Sequence, residues 1–198
     1  FSAPVIIALF IVVVIPFFYG IYYSFTDWNG VSEAVLVGFS NYSKLLKDQE
    51  FWTSIWFTTK FAFVAIILIN AIGLGLALLV TNKFKGANLL RTIFFMPNLI
   101  GGLILGFIWQ FIFINAFSAI GDVLNSTGLK TWLSTPETGF WAMVIVMCWQ
   151  MSGYVMVIYI SYLQSVDDAL LEASDLDGAS AFQKFWHVKF PLIMPGFT

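Results

Sequence analysis

Four apolar stretches of at least 20 residues each constrain what this chain can fold into. No ionised side chain interrupts any of them, and they are Pro4–Phe25, Phe61–Val80, Thr92–Ala116 and Phe140–Leu163. About 20 apolar residues in a helix cross the roughly 30 Å hydrocarbon core of a bilayer. The backbone finds no water there, so each stretch must satisfy its own hydrogen bonds as a helix. The sequence therefore predicts an all-α, polytopic transmembrane helical bundle with spans at 4–25, 61–80, 92–116 and 140–163.

The composition supports this membrane class and excludes several others. Hydrophobic residues make up 60% of the 198 residues and charged residues only 10%, with a net charge of −2. No basic face is available to neutralise a nucleic-acid backbone, so we expect no nucleic-acid partner. Cys148 is the single cysteine and the chain has one histidine, so we expect no disulfide and no metal site. Phosphate-binding glycine loops and hydrolase motifs are absent from the sequence, so we predict no catalytic residue and no cofactor bound by this chain.

Basic residues indicate which side of the membrane each loop occupies. The short loop between the second and third spans holds Lys83, Lys85 and Arg91 and no acidic residue. Positive charge in short loops marks the cytoplasmic side. We therefore expect this loop, and by alternation the segment 164–190, to be cytoplasmic.

Prolines and small residues predict where the spans bend and where they pack. Pro16 and Pro97 fall inside the first and third spans, where the missing N–H predicts a kink. Small residues four positions apart let helix backbones approach closely in lipid. Three pairs have this spacing: Ala71/Gly75, Gly73/Ala77 and Gly102/Gly106.

After the fourth span the composition changes, and residues 165–191, called the elbow below, predict two short helices. Ser165 and Asp168 have the spacing of a capping box at the start of the first helix. Gly178 is suited to the left-handed conformation that ends a helix. Pro191 predicts the end of the second helix.

The elbow is too small to bury both of its apolar faces. Leu170, Ala173 and Leu176 lie on one stripe of the first helix, and acidic side chains such as Glu172 and Asp177 border it. Such a face fits a groove on another protein, as in helix-in-groove recognition. We therefore predict a soluble cytoplasmic partner.

The elbow resembles a motif of one transporter family. It reads Glu172-Ala173-Ser174, three residues, Gly178, nine residues, and then Val188-Lys189-Phe190-Pro191. This pattern resembles the EAA loop of binding-protein-dependent ABC importer permeases, E-A-A-x3-G-x9-I-x-L-P. The departures at Ser174, Val188 and Phe190 keep the size or the apolarity of the family residues. The stretch Asp177-Gly178-Ala179-Ser180 is similar to the carbohydrate-uptake branch of maltose, multiple-sugar and glycerol-phosphate permeases, and the resemblance covers the whole chain.

The resemblance implies a type I ABC importer permease core in a bacterial cytoplasmic, or inner, membrane. In that family two more membrane helices follow this region, so the chain is expected to be cut short after the fourth span and the elbow. The resemblance also implies that the elbow docks on an ATPase subunit and carries its motion to the membrane helices. The residues that match this coupling role are Glu172, Ala173, Ser174, Asp177, Gly178, Ala179 and Pro191.

The same resemblance implies the partners and the function. The partners are a second permease, expected to be a different chain, two ATPase subunits that bind ATP and Mg²⁺, and an extracytoplasmic solute-binding protein. The chain itself would be a transporter subunit without enzyme activity. It would move a sugar or related polar solute across the lipid bilayer, with ATP hydrolysed by the partner.

Polar and aromatic side chains within the spans are candidates for the solute path. They are Asn98, Trp109, Gln110, Trp149, Gln150 and Tyr154. Trp109-Gln110 and Trp149-Gln150 each pair an aromatic plane with an amide, which suits the apolar face and the hydroxyls of a sugar. Polar groups within the bilayer also serve as hydrogen bonds between helices, and core packing explains the tryptophans equally well.

Two other classes of membrane protein compete with the importer hypothesis. An ion-coupled secondary transporter normally has an ionisable residue within a span, and the four spans contain none. A membrane anchor or assembly factor without transport activity would be favoured if the elbow had no soluble partner. A binding test of the elbow distinguishes these hypotheses.

Overall fold

The computed structural model describes residues 2–81 and 85–197. The chain divides into two compact units, residues 1–59 and residues 60–198. The hypothesis that 1–198 form a single permease domain stays a prediction. Lys83, one of the three cations used to orient the loop 81–91, lies outside the described residues.

The helices of the described residues are numbered here in chain order. They are α1 (Ala3–Ser24), α2 (Ser40–Lys47), α3 (Gln49–Thr81), α4 (Ala87–Phe95), α5 (Gly102–Val123), α6 (Thr127–Lys130), α7 (Pro136–Gln164), α8 (Asp168–Leu176) and α9 (181–193). Within the described ranges, α1, α3, α5 and α7 are long and apolar enough to cross a membrane. This confirms the predicted all-α, polytopic membrane fold.

In the first unit, α1 contains the predicted first span and none of its residues is buried. The predicted kink takes the form of a π-helical turn over Phe10–Val14, directly before Pro16. Proline lacks an N–H and its ring collides with the carbonyl four residues earlier, so a wider turn before it relieves the clash.

A short segment joins α1 to α2. The side-chain amide of Asn41 donates to the carbonyls of Ser24 at 3.0 Å and Thr26 at 2.7 Å. Thr26 also pairs with Leu36 in an isolated antiparallel bridge. These bonds fix the start of α2 beside the end of α1.

In the second unit, α3 and α7 form the core and contain the predicted second and fourth spans. Two clusters of buried side chains lie between them. The first holds Ala65, Ile69, Phe140, Val144 and Cys148, and the second holds Ala77, Val80, Met156, Tyr159 and Ile160. Each cluster combines residues from both helices, so the two helices pack along much of their length.

Two glycines allow helices of the second unit to touch. A Cβ atom on Gly73 would lie 2.8 Å from a methyl carbon of Val155, so α3 approaches α7 closely there. A Cβ on Gly153 would lie 1.8 Å from the carbonyl oxygen of Phe94, so the backbone of α4 rests directly on α7. Small residues at these positions permit packing that hydrophobicity alone cannot drive in lipid.

The predicted third span, 92–116, is interrupted in the structure. Helix α4 ends at Phe95, a 3₁₀ turn covers Met96–Leu99, and α5 begins only at Gly102. Ile100 and Gly101, between them, have extended backbone. Pro97 removes one N–H, and the two glycines after Ile100 favour a break over a simple kink. The membrane-length helix here is therefore α5, which runs to Val123.

Candidate functional site

The elbow begins with a helix cap two residues later than the sequence predicts. The N-cap of α8 is Asp167, whose carboxylate accepts the Ala169 N–H at 2.9 Å. The predicted capping box of Ser165 and Asp168 is wrong. Ser165 is the C-cap residue of α7, where its hydroxyl donates to the Tyr162 carbonyl at 2.8 Å. Ser165 closes α7, so the cap of α8 is a different residue, Asp167.

The turn between α8 and α9 depends on Gly178, as predicted from its position after the helix. Gly178 has φ +73°, a left-handed conformation that costs other L-residues energy. The Ala179 N–H donates to the Ser174 carbonyl at 3.0 Å, and the Gly178 N–H donates to the backbone carbonyl of Asp175 at 3.1 Å. These bonds satisfy carbonyls at the end of α8 that have no partner within the helix.

Two further contacts fix α9 relative to α8. Ser180 and Gln183 form a capping box, in which the Gln183 side chain accepts the Ser180 N–H at 2.8 Å. Lys184 on α9 forms an ion pair with Asp175 on α8. The elbow is therefore held from both helices, with the glycine turn between them.

Helix α9 does not end at Pro191, contrary to the prediction. It consists of Ala181–Lys184, a π-helical turn over Phe185–Lys189, and Phe190–Ile193. The wide turn lies directly before the proline, as it does before Pro16 in α1. It accommodates the missing N–H, so the helix continues to the fully buried Ile193.

The predicted coupling residues all lie in the elbow and differ in exposure. Glu172, Ala173, Asp177, Gly178 and Pro191 are exposed. Ala179 is half-buried, whereas Ser174 is buried and its hydroxyl donates to the Leu171 carbonyl at 2.7 Å.

The outer face of α8 is apolar and open. Leu176 is 91% exposed and Leu170 is 48% exposed. Large exposed apolar side chains bordered by Glu172 and Asp177 are typical of a surface that another protein covers. The structure therefore shows the two-sided elbow that the sequence predicts.

The other face of the elbow connects to α7 through aromatic contacts. The ring centroid of Trp186 lies 4.8 Å from that of Phe190. The ring centroid of Phe190 lies 5.7 Å from that of Phe197. Phe197 in turn lies 4.9 Å from Tyr159, a fully buried residue of α7. The elbow is thus linked to the core of the second unit through Phe197.

Three of the six solute-path candidates line one groove. Trp109, Gln110 and Gln150 border a cleft of about 480 Å³ between α5 and α7. Trp149 lies in an adjacent groove, and its ring meets that of Trp109 edge-on at 5.4 Å between centroids. The indole N–H of Trp109 is buried and has no acceptor among residues 2–81 and 85–197.

The remaining candidates lie elsewhere in the second unit. The Asn98 amide contacts the sulfur of Met151 at 3.6 Å, a contact between helices of the kind that the sequence also allows. Tyr154 is 45% exposed and does not border the cleft. The structure therefore brings together only part of the predicted solute path.

Two polar contacts were not assigned from the sequence. The hydroxyl of Tyr159 donates to the side-chain carbonyl of Asn70, which joins α7 to α3 within the membrane. Arg91, which the sequence suggests only as an orientation signal, donates through Nη2 to the Val80 carbonyl at 3.0 Å. In the sequence, the signal for the contact between Arg91 and Val80 was a basic residue just before the predicted third span.

The four membrane-length helices and the elbow with its apolar outer face define a polytopic membrane protein. Residues 69–198 match the family model described as "Binding-protein-dependent transport system inner membrane component", and the chain belongs to this family. This confirms the predicted family and the predicted inner-membrane location.

Several permeases are similar to this chain. It is 57% identical over 198 residues to the "Probable starch degradation products transport system permease protein AmyD" of Thermoanaerobacterium thermosulfurigenes, covering 100% of this chain and 68% of that protein. It is 32% identical to the multiple sugar-binding transport system permease protein MsmF of Streptococcus mutans, with coverage of 92% and 64%. It is 31% identical to the trehalose/maltose transport system permease protein MalF of Thermococcus litoralis, with coverage of 85% and 58%. The chain thus spans less than two thirds of the length of the last two relatives.

A solved structure has the same fold. It is described as the crystal structure of a bacterial alginate ABC transporter in complex with an alginate pentasaccharide-bound periplasmic protein. The TM-score is 0.84 over 98% of this chain and 66% of the other, at 19% identity. The fold is therefore that of an ABC importer permease, as predicted.

Proposed function

We propose that this chain is the permease subunit of an ATP-driven importer that takes up sugars released from starch. The family description and the name of the 57% identical relative support this assignment. The chain would provide membrane helices and contacts for other subunits, without enzyme activity of its own.

The outward face of α8 is the observation that carries the proposal. An ATPase can shift a helical bundle only through a contact whose geometry differs between two states. The elbow offers such a contact, because its outer face is apolar and because Gly178 and the Lys184–Asp175 ion pair fix its two helices relative to each other. We infer that a cleft on an ATPase subunit covers Leu170 and Leu176.

The predicted coupling residues take distinct roles in this docking. Glu172 and Asp177 place negative charge at its edge, where charge sets orientation and association rate. Gly178 sets the turn, and the small side chains of Ala173 and Ala179 permit close packing. The hydroxyl of the buried Ser174 donates to the Leu171 carbonyl within α8. Pro191 follows the π-helical turn that carries α9 toward the core.

The other subunits follow from the same hypothesis. Two ATPase subunits would bind ATP and Mg²⁺, and a second permease, a different chain, would complete the pathway. An extracytoplasmic solute-binding protein would deliver the sugar, in keeping with the family description. The cytoplasmic side would be the one that carries the elbow.

We place part of the solute path in the cleft lined by Trp109, Gln110 and Gln150. Its aromatic wall suits the apolar face of a sugar ring, and the two amides can exchange hydrogen bonds with hydroxyls. Asn98, Trp149 and Tyr154 remain candidates for other stages of the path.

Binding of the ATPase tests the proposal directly. The affinity of the ATPase subunit for the assembled permease in lipid nanodiscs would be compared between wild type, Glu172→Lys and Leu176→Asp. Both substitutions change an exposed side chain, so the helix should persist while the docking face is lost. We expect each to weaken binding at least about tenfold, the effect of roughly 1.4 kcal/mol.

Glu137→Lys is the matched control, because it reverses an exposed carboxylate in the first turn of α7, at the end opposite the elbow. It should leave ATPase binding unchanged. Equal binding by wild type and both elbow variants would contradict the proposal and favour a membrane protein without this coupling.

A further inference from the structure

A polar cavity lies where α3, α4, α7 and α8 meet. Its volume is about 570 Å³. Thr81, at the end of α3, and Gln164, at the end of α7, border it, so the cavity lies where apolar spans give way to polar segments. This is the depth of the lipid headgroups. We propose that this cavity binds a phosphate group, a site distinct from the solute cleft and from the docking face of the elbow.

Arg91 is the central residue of the proposed site. Its Nη2 donates to the Val80 carbonyl, which fixes the guanidinium at the cavity wall. Its Nε is buried and has no acceptor in the described ranges 2–81 and 85–197. A guanidinium has five N–H donors in a planar fork that matches phosphate oxygens. A phosphate in the cavity would accept hydrogen bonds from this guanidinium.

The remaining wall favours an anion. Lys189 adds a second cation and is half-buried. Among the lining residues that the structure describes, Asp168 is the carboxylate, so the cations exceed the anions by one. Asn88 contributes an amide, and Gly86 at the start of α4 brings the positive end of a helix to the cavity.

The same chemistry has two sources, a phospholipid headgroup or a free phosphate compound. Basic pockets at the ends of membrane helices bind anionic headgroups, because the cytoplasmic leaflet is negatively charged. The cavity has both the depth and the charge for such binding. Two arms of one experiment separate the sources.

The lipid arm uses native mass spectrometry of the purified transporter with equal amounts of phosphatidylglycerol and phosphatidylcholine. We expect wild type to retain phosphatidylglycerol selectively, and Lys189→Gln to lower that selectivity about tenfold, the effect of one charge-assisted hydrogen bond. Lys47→Gln is the matched control, because it removes the same charge from an exposed lysine of α2 that does not line the cavity.

Asn88→Asp keeps the test valid if Lys189→Gln does not fold. A carboxylate in the first turn of α4 stabilises the helix and repels a phosphate, so selectivity should fall while the fold persists. In the second arm, inorganic phosphate replaces chloride at equal ionic strength in neutral detergent, and the unfolding temperature is measured. A rise in wild type that Asn88→Asp abolishes would assign the site to a free phosphate compound.

Either positive arm supports the site and identifies its source. The proposal is overturned if neither arm distinguishes wild type from Asn88→Asp, or if Lys47→Gln loses as much selectivity as Lys189→Gln.

Discussion

At the residue scale, Gly153 determines how closely α4 and α7 approach. A Cβ atom there would lie 1.8 Å from the Phe94 carbonyl oxygen, which is too close for two non-bonded atoms. The obstacle is backbone, which cannot rotate away as a side chain does. Gly75 offers the opposite case, because a Cβ there would meet nothing within 4 Å.

We therefore expect Gly153→Ala to destabilise the protein by about 3 kcal/mol or more, the upper end of the range for overpacked cores. The check is the unfolding midpoint of the purified permease in detergent. Gly75→Ala is the matched control in a membrane helix and should leave the midpoint nearly unchanged. Equal midpoints for the two variants would mean that α4 does not rest on α7 at Gly153.

Spacing in the sequence identifies only some of these residues. The pair Gly73/Ala77 is buried against α7, as its spacing predicts. Gly102 and Gly106 have the same spacing, yet a Cβ on either would meet open space. Gly153 packs most tightly and belongs to no predicted pair. Spacing reveals a small-residue face on one helix, whereas contact depends on which helix lies opposite, and only the fold supplies that.

At the element scale, the prolines show how far local rules extend. Each of Pro16, Pro97 and Pro191 disturbs its helix, as the missing N–H requires. The outcome differs with what surrounds it. A π-helical turn lets the helix continue at Pro16 and Pro191, whereas Gly101 and Gly102 let it break after Pro97. Predicting a disturbance needs only the proline, but predicting its form needs the neighbouring backbone.

The pairing of α3 with α7 includes the Asn70–Tyr159 hydrogen bond, which a double-mutant cycle can measure. We expect Asn70→Ala and Tyr159→Phe to couple by about 0.6–1.7 kcal/mol, the range found for hydrogen bonds between membrane helices. The measurement is the free energy of unfolding of the wild type, the two single variants and the double variant.

Tyr154→Phe is the control, since it removes a hydroxyl from an exposed position of the same helix. Its coupling to Asn70→Ala should be close to zero. Additive effects of Asn70→Ala and Tyr159→Phe would show that the two side chains do not interact in the membrane.

At the scale of the whole molecule, the glycine turn and the apolar stripe of the elbow were predictable, whereas its first helix cap, the end of its second helix and the solute path were not. The turn and the stripe lie in one continuous segment, so the order of residues carries their geometry. The solute path depends on contacts between separate helices. Trp109 and Gln150 come together in one cleft, but Tyr154 does not border it, although all three are polar or aromatic residues within spans.

The cleft makes a prediction about transport by the assembled system. Gln110 is exposed and lines the cleft, so Gln110→Ala should remove a hydrogen bond to the solute without disturbing the core. Loss of one such hydrogen bond changes an affinity by about 2–10-fold. The assay is uptake into proteoliposomes supplied with starch-hydrolysis oligosaccharides. We expect a change by this factor in the uptake rate or in the concentration of solute-loaded binding protein that gives half-maximal uptake.

Asn115→Ala is the matched control, because it removes an exposed amide from the same helix, α5, outside the cleft. It should transport at the wild-type rate, and both variants should bind the ATPase as wild type does, because neither touches the elbow. Loss of uptake by Gln110→Ala alone would place the solute in the cleft. Equal uptake by the two variants would leave the cleft as a packing gap between α5 and α7, and the path would then have to run along residues outside it.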